Sequence, residues 1–300
     1  MRMSFQDWSL LLFLSLLWGG AFFFAAVAVR ELSPLTVVAS RTGLAALALA
    51  VVLRFRHEDW PLKGHALRTF SIMGLLNNLL PFSLLFWAQT MIPSGLASIL
   101  NATTPIFSII VAHFLLDDER MAANKTVGIG FGFLGVVVLL GGNLLDSKGF
   151  ALVGMLACLG AALSYGFAGV YGRRFKSMGF SATQVAFGQL TATTLMMVPI
   201  ILLIDRPWNL PLPSFAVIAS LVALAVVSTA LAYVIFFRIL ASAGAVNAAL
   251  VTLLIPVSAI LLGALFLGET LALRHYTGMA LIGSGLLAID GRVLDLMKRR

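Results

Sequence analysis

The residues of this 300-residue chain that could do chemistry are a few polar side chains set inside long apolar runs. Asparagines and threonines supply hydrogen-bonding groups, and nearby aromatic rings supply flat apolar faces. Polar groups within a membrane are costly unless they face the interior of a helix bundle or a wet cavity. We therefore expect them to line a binding pocket, although any one of them could instead join two helices by a hydrogen bond. The candidate substrate-binding residues are Asn77, Asn78, Phe82, Phe86, Asn101, Tyr233, Phe237, Thr252 and Arg41.

Arg41 is the one cation placed inside an apolar run, where it must snorkel, pair with a partner or meet water. It could bind the carboxylate of a substrate, or it could hydrogen-bond the carbonyls at a helix end. Pro105 and Pro256 stand at matching places in two runs, and each frees a carbonyl one turn earlier. We expect hinges or cavity-shaping kinks there, and we expect Pro81 to shape the same cavity.

The acidic residues and the cysteine argue against several kinds of site. All twelve acidic residues lie in loops or near the ends of the apolar runs, whereas a proton relay would place them at mid-membrane. Facilitated diffusion or exchange is therefore favoured over obligate proton coupling. The single cysteine, Cys158, allows neither an internal disulfide nor a cysteine-based zinc site. We expect no metal site and no cofactor.

The composition excludes a soluble fold. Hydrophobic residues make up 60% of the chain even before its 27 glycines are counted, and 11% of the residues are charged. Soluble domains have about 45–50% apolar residues with glycine included, and about 25% charged residues. The net charge of +8 is not arranged as a basic stripe interleaved with aromatic residues, so nucleic-acid binding is not expected. The solvent of this chain must be a lipid bilayer.

Crossing a bilayer takes about 20 apolar residues, and the backbone must be paired internally, as it is in a helix. The sequence predicts an all-α integral membrane protein with ten transmembrane helices. The N-terminus and every second connection carry fifteen lysines and arginines against four on the opposite face, which places both termini in the cytoplasm. The predicted spans are Trp8–Val29, Leu35–Leu53, Thr69–Ala88, Ser94–Leu116, Asn124–Leu140, Phe150–Tyr171, Ala182–Ile204, Phe215–Phe237, Ala245–Leu267 and Leu273–Ile289.

The two halves repeat one pattern of residues. In the fourth and ninth spans a proline is followed by an apolar run and a glutamate, and glycines follow each glutamate nine and sixteen residues later. The sequence therefore predicts a duplicated five-helix unit, residues 1–146 and 147–300. Because five is odd, the second unit would stand inverted in the membrane, an architecture suited to alternating access. The repeated residues are Pro105, Glu119, Gly128 and Gly135 in one half and Pro256, Glu269, Gly278 and Gly285 in the other.

With Trp18-Gly19 in the first span and Arg41 in the second, this pattern resembles the EamA-type drug/metabolite transporter superfamily over essentially the whole chain. More narrowly, it resembles the YddG-type exporters of aromatic amino acids. The resemblance implies ten helices with cytoplasmic termini, a central cavity between the halves and a place in the bacterial inner membrane. The first half departs from the pattern, because Asp118-Glu119 stands where the second half has Gly268-Glu269.

The expected function is export of small amphipathic metabolites by alternating access, with aromatic or hydrophobic amino acids as the favoured substrates. A pocket of neutral groups would suit a zwitterion. Transport of multidrug cations or nucleotide sugars is the alternative within the same superfamily. A membrane-embedded lipid-modifying enzyme is a second alternative, and it would use His57, Glu58, Asp59 and His65. The glycine-rich fifth and tenth spans should make close contacts, either at the edge of the bundle or between two protomers of a homodimer.

Overall fold

The computed structural model describes residues 4–61, 64–116, 123–141, 149–243 and 251–290. Within these ranges every regular element is a helix and none is a strand. Among the described residues, seven helices are long and apolar enough to cross a membrane, and 126–139 and 254–267 form shorter apolar helices. The prediction of an all-α integral membrane protein is confirmed. The count of ten spans, the repeat boundary and the inverted orientation stay predictions.

The helices follow the predicted apolar runs closely, with two π-helical segments inside them. The first half contains α1 (Phe5–Ala28), α2 (Pro34–Phe55), α3 (His65–Gly74), π1 (Leu75–Leu79), α4 (Leu80–Ala88), α5 (Ser94–Asn101), α6 (Thr104–Leu115) and α7 (Ala123–Gly141). The second half contains α8 (Phe150–Gly172), α9 (Arg174–Ser177), α10 (Ala182–Leu203), a 3₁₀ turn (Pro207–Asn209), α11 (Phe215–Val222), π2 (Ala223–Leu231), α12 (Ala232–Ala243), α13 (Val251–Leu267) and α14 (Leu273–Asp290).

Serines set the start of four long helices. Ser4, Ser33, Ser181 and Ser214 have extended backbones, and each hydroxyl accepts a hydrogen bond from the backbone N–H three residues later. Such a cap satisfies one of the four N–H groups that a helix leaves unpaired at its start. Pro34 fills the first position of α2, where its missing N–H costs nothing.

Helices of the two halves pack against each other in matching pairs. α2 packs on α10, and α7 packs on α14. α1 lies against α13 and π2, and α8 lies correspondingly against α6 and α4. Small residues bring these helices close: a Cβ built on Gly74 would come within 2.8 Å of the carbonyl oxygen of Gln189 in α10. Larger side chains at that contact would push α3 and α10 apart.

The predicted close contact of the glycine-rich spans is seen between α7 and α14 of one chain. A Cβ on Gly135 would lie 2.7 Å from the carbonyl oxygen of Gly278, and a Cβ on Gly285 would lie 2.5 Å from that of Gly128. Glycine lets the two backbones approach to a distance that no other residue allows. Of the two alternatives that the sequence left open, this contact is the one within a single bundle, and a homodimer stays a prediction.

The matching prolines differ in their effect on the chain. Pro105 stands in the first turn of α6, after a break at Ala102 and Thr103 that separates α6 from α5. The carbonyl that Pro105 leaves without a partner, at Asn101, accepts a hydrogen bond of 2.7 Å from the Thr104 hydroxyl. Pro256 lies inside α13, which continues past it without a break.

Candidate functional site

Arg41 lies in the middle of α2 and is 8% exposed. Its Nε donates a hydrogen bond of 3.0 Å to the Thr229 hydroxyl in π2. Among the described residues, this is the one hydrogen bond that holds the guanidinium, which leaves the two terminal nitrogens for another partner. Because guanidinium and carboxylate match in a planar, two-pronged geometry, an arginine placed in this way is suited to a carboxylate.

Two stacked phenylalanines from α4 face the guanidinium. The Arg41 Cζ atom lies 3.8 Å from the centroid of the Phe82 ring and 5.7 Å from that of Phe86. The two rings are nearly parallel, with 6.0 Å between centroids and 13° between planes. A cation over a ring face is attracted by the ring quadrupole. The contact therefore joins the predicted cation to two predicted aromatic residues.

The π-helical turn in the second half places Thr229 for its contact with Arg41. The Thr229 hydroxyl donates 2.8 Å to the carbonyl of Leu224, five residues earlier, while it accepts from Arg41 Nε. A π turn changes the register of the helix, and such turns are frequent at functional sites. The hydroxyl is thus held between the backbone of π2 and the cation.

The π-helical turn in the first half carries the two predicted asparagines. Asn77 Nδ2 donates 2.9 Å to Gln189 Oε1, and the Asn77 side chain also hydrogen-bonds Tyr233. Asn78 Nδ2 donates 3.3 Å to the Thr193 hydroxyl. Both asparagines therefore hydrogen-bond to α10. These bonds fit the alternative stated from the sequence, in which a polar side chain joins two helices.

Backbone carbonyls of the same turn are satisfied by hydroxyls of neighbouring helices. Thr193 donates 3.1 Å to the carbonyl of Gly74, and Ser164 donates 2.7 Å to that of Leu76. A carbonyl freed by a π turn inside a membrane needs such a partner. Sequence reasoning missed Ser164, Gln189 and Thr193, although the spacing of Gln189 and Thr193 puts them on one helix face and was the available signal.

Two partly buried phenols complete the surroundings of Arg41. Tyr165 of α8 and Tyr233 of α12 are close enough to act on its charge. The described part of the chain places no carboxylate within ion-pair distance of Arg41. A buried cation without an acidic partner is costly unless a ligand or water compensates it. We call the following residues the Arg41 cluster: Arg41, Asn77, Phe82, Phe86, Tyr165, Thr229 and Tyr233.

The remaining predicted residues lie at other places. Asn101 ends α5, and its Oδ1 is buried without a hydrogen-bond partner among the described residues. Thr252 lies in α13. Pro81 is buried in the first turn of α4, on the same helix as Phe82. The side chain of Phe237 lies outside the described residues, as does Glu119.

At one end of the bundle, carboxylates of each half accept hydrogen bonds from residues of the other half. Glu31, after α1, accepts hydrogen bonds of 2.7 Å from both the backbone N–H and the hydroxyl of Ser214. Asp205, after α10, accepts from the hydroxyl of Ser33 and, at 2.6 Å, from that of Thr36. The hydrogen bond from the Ser214 backbone N–H, and to a smaller extent the one from its hydroxyl, stabilise the charged carboxylate and so lower the pKa of Glu31.

Glu269 makes a third link of this kind. Its carboxylate accepts from the backbone N–H of Ser94 at 2.8 Å, from the Ser94 hydroxyl at 2.9 Å and from the N–H of Gly95 at 3.1 Å. These are unpaired groups at the start of α5, where a negative charge is favoured. Beside it lies a cavity of about 400 Å³ whose lining includes Ala26, Arg30, Gln89, Pro93, Leu267 and Glu269.

Carboxylates also join the halves at the opposite end. Asp7, in the first turn of α1, accepts 2.6 Å from the hydroxyl of Ser242 in α12. Glu58, after α2, accepts from the hydroxyl of Ser181, which caps α10. We call these five carboxylates, with the serines and threonine that bind them, the end clasps. Each joins one half of the chain to the other.

The residues of the proposed enzyme alternative take part in these contacts. Glu58 binds Ser181, and the carbonyl of Asp59 accepts 3.0 Å from Gln184 Nε2. The side chain of His65 lies outside the described residues. Among the side chains that the structure describes, no three histidines, cysteines or acids gather as metal ligands would.

Comparison with known families identifies the chain. Residues 8–141 and 152–289 each match the EamA-like transporter family. The chain belongs to this family. The resemblance to EamA-type transporters stated from the sequence is confirmed, and the family is one of transporters.

Relatives of the chain cover nearly its whole length. The uncharacterized transporter YoaV of Bacillus subtilis is 29% identical over 91% of the chain and 92% of the relative. A probable amino-acid metabolite efflux pump of Escherichia coli is 28% identical over 95% of the chain and 94% of the relative. A solved crystal structure with 20% identity has a TM-score of 0.66 and covers 95% of the chain and 98% of its own, which shows a shared fold.

Proposed function

We propose that the protein exports small amphipathic metabolites across the bacterial inner membrane, with aromatic or hydrophobic amino acids as its substrates. The observation that carries this proposal is the Arg41 cluster, where a buried cation with no acidic partner among the described residues faces two stacked phenylalanine rings. Arg41 would bind the substrate carboxylate, and Phe82, Phe86 and the tyrosines would contact the apolar side chain. The E. coli efflux pump of similar sequence supports a substrate of this class.

The cycle we propose is alternating access between the two halves. The end clasps join the halves at both ends of the bundle, and the Arg41 cluster lies between them. Opening one end would break its clasps while those of the other end hold, so that the Arg41 cluster is accessible from one side of the membrane at a time. The matched helix pairs support two units related by a two-fold axis. The fifteen lysines and arginines on the face of the termini support cytoplasmic termini.

The position of the acidic groups supports transport without obligatory proton coupling. The carboxylates of the end clasps lie at helix ends and hold serine hydroxyls and backbone N–H groups. A substrate gradient would therefore drive the cycle, by facilitated diffusion or by exchange.

The charge of Arg41 argues against multidrug cations as substrates, because Arg41 would repel a cationic substrate. A nucleotide sugar would call for further cations beside Arg41 to balance its phosphates.

Counterflow in proteoliposomes tests the proposal. Vesicles loaded with unlabelled phenylalanine or tryptophan should take up the labelled amino acid in a saturable way, faster than vesicles without protein. A labelled sugar phosphate and a quaternary ammonium ion serve as comparison substrates. If one of them shows saturable counterflow and no amino acid does, the proposed substrate class is wrong.

A further inference from the structure

The charge of the Arg41 cluster is unbalanced. It contains one guanidinium, four aromatic or phenolic neighbours (Phe82, Phe86, Tyr165 and Tyr233), and no carboxylate from the described part of the chain. A zwitterionic amino acid brings one charge of each sign and leaves this imbalance unchanged. A substrate with a single negative charge removes it, because the carboxylate and Arg41 then form a neutral pair.

The groups that could receive a substrate ammonium near Arg41 are neutral, and several are already engaged. The Thr229 hydroxyl accepts from Arg41 and donates to Leu224. The Asn77 side chain binds both Gln189 and Tyr233. Neutral oxygens stabilise a buried ammonium less than a carboxylate does. The cluster is therefore built around the negative group of its ligand.

We propose that the Arg41 cluster recognises aromatic monocarboxylates and does not require an amino group. This inference rests on the proposed function for the location of the site, and it names the charge type that the site selects. An arylalkanoic acid such as 3-phenylpropionate supplies both elements that the cluster matches: a carboxylate for the terminal nitrogens of Arg41 and a ring for Phe82 and Phe86. Aromatic acids without an amino group are thus a second class of cargo.

The test compares two ligands that differ only in charge. Binding of 3-phenylpropionate and of 3-phenylpropionamide to the purified full-length protein is measured by calorimetry at neutral pH. Because the amide cannot form the charge-assisted pair with Arg41, we expect it to bind at least about tenfold more weakly than the acid. In Arg41→Gln the acid should bind no better than the amide, whereas in Arg54→Gln, an exposed cation on the same helix, the preference should persist.

Flux separates this inference from the proposed function. We expect 3-phenylpropionate to compete with labelled phenylalanine in counterflow at least as well as unlabelled phenylalanine does, and the amide to compete about tenfold less. Equal binding of acid and amide would overturn the inference, and so would an acid preference that survives Arg41→Gln. If the acid binds through Arg41 while no amino acid is carried, the amino-acid proposal fails and the inference stands.

Discussion

The centre of the bundle and its ends differ in how their charged side chains are bound. At the ends, carboxylates from one half bind serine hydroxyls and helix N-termini of the other half, as Glu269 does with Ser94 and Gly95. In the centre, Arg41 is held by one hydroxyl and by ring faces, without an acid among the described residues. The carboxylates at the ends are thus hydrogen-bonded within the chain, whereas the described residues provide no counter-charge for Arg41.

This difference predicts where a substitution should change transport and where it should change stability. A carboxylate bound by backbone N–H groups and hydroxyls stabilises the contact between two helices. A cation that lacks its counter-charge contributes to binding when the substrate supplies that charge. Variants in the centre should therefore change transport, and variants at the ends should change stability.

The largest effect is expected for Arg41→Gln. Losing the charge-assisted hydrogen bonds to a substrate carboxylate should cost about 1.5–3 kcal/mol, which lowers kcat/KM on the order of 10- to 100-fold. The measurement is saturable counterflow of labelled phenylalanine in proteoliposomes. Arg54→Gln, on the exposed face of α2, serves as the control and should transport as the wild type does. Wild-type kinetics in Arg41→Gln would mean that the cation has a structural role.

Thr229→Val should have the next largest effect. The substitution keeps the shape of the side chain and removes the acceptor for Arg41 Nε and the donor to Leu224. We expect KM to rise about tenfold, since a hydrogen bond to a charged group contributes about 1.5 kcal/mol. Thr191→Val is the matched control, because the Thr191 hydroxyl is buried without a partner among the described residues. A similar loss in both variants would indicate general disruption.

Glu269→Gln should weaken the end of the bundle and leave the centre intact. The amide loses the negative charge that the start of α5 favours, so we expect the free energy of unfolding to fall by about 1 kcal/mol and the melting temperature by a few degrees. KM for phenylalanine should stay within about twofold of the wild type. A large rise in KM at unchanged melting temperature would instead place Glu269 in the binding site.

The smallest effect is expected for the pH dependence of Glu31. Because the hydrogen bonds from Ser214 lower its pKa in the folded state, the stability they give is present above the ordinary pKa of 4.5 and is lost as pH falls through the folded-state pKa. Thermal unfolding measured between neutral pH and acid should therefore show a shallower decline in Glu31→Gln than in the wild type. Identical slopes would show that the contact between Glu31 and Ser214 does not contribute to the pH dependence of stability.

The class of the protein and the positions of its helices could be predicted from composition and apolar runs, because bilayer thickness fixes the length of a span. Arg41, Phe82 and Phe86 were also identified, since a cation and paired rings are conspicuous in apolar segments. Their mutual contact could not be predicted, because it joins α2 to α4 through the packing of the whole bundle. Arg41 stood among the candidate substrate-binding residues together with Asn77 and Tyr233, although the pocket was otherwise expected to be neutral.

Three features escaped prediction for physical reasons. The π turns at 75–79 and 223–231 have the same apolar composition as the α-helices around them, so no periodic signal marks them. The break at Ala102 and Thr103 depends on how hydroxyls satisfy the local carbonyls, whereas α13 continues past Pro256. The end clasps join residues more than a hundred positions apart, which a single sequence does not reveal.

The most direct test is whether the Arg41 cluster is reached in turn from both sides of the membrane. Thr229→Cys is made in a Cys158→Ala background, since Cys158 is the single native cysteine and is buried. A membrane-impermeant methanethiosulfonate is applied to oriented vesicles from either side, with and without phenylalanine. We predict modification from both sides and protection by the substrate. Modification from one side alone under every condition, or no protection by any transported substrate, would contradict a central site with alternating access.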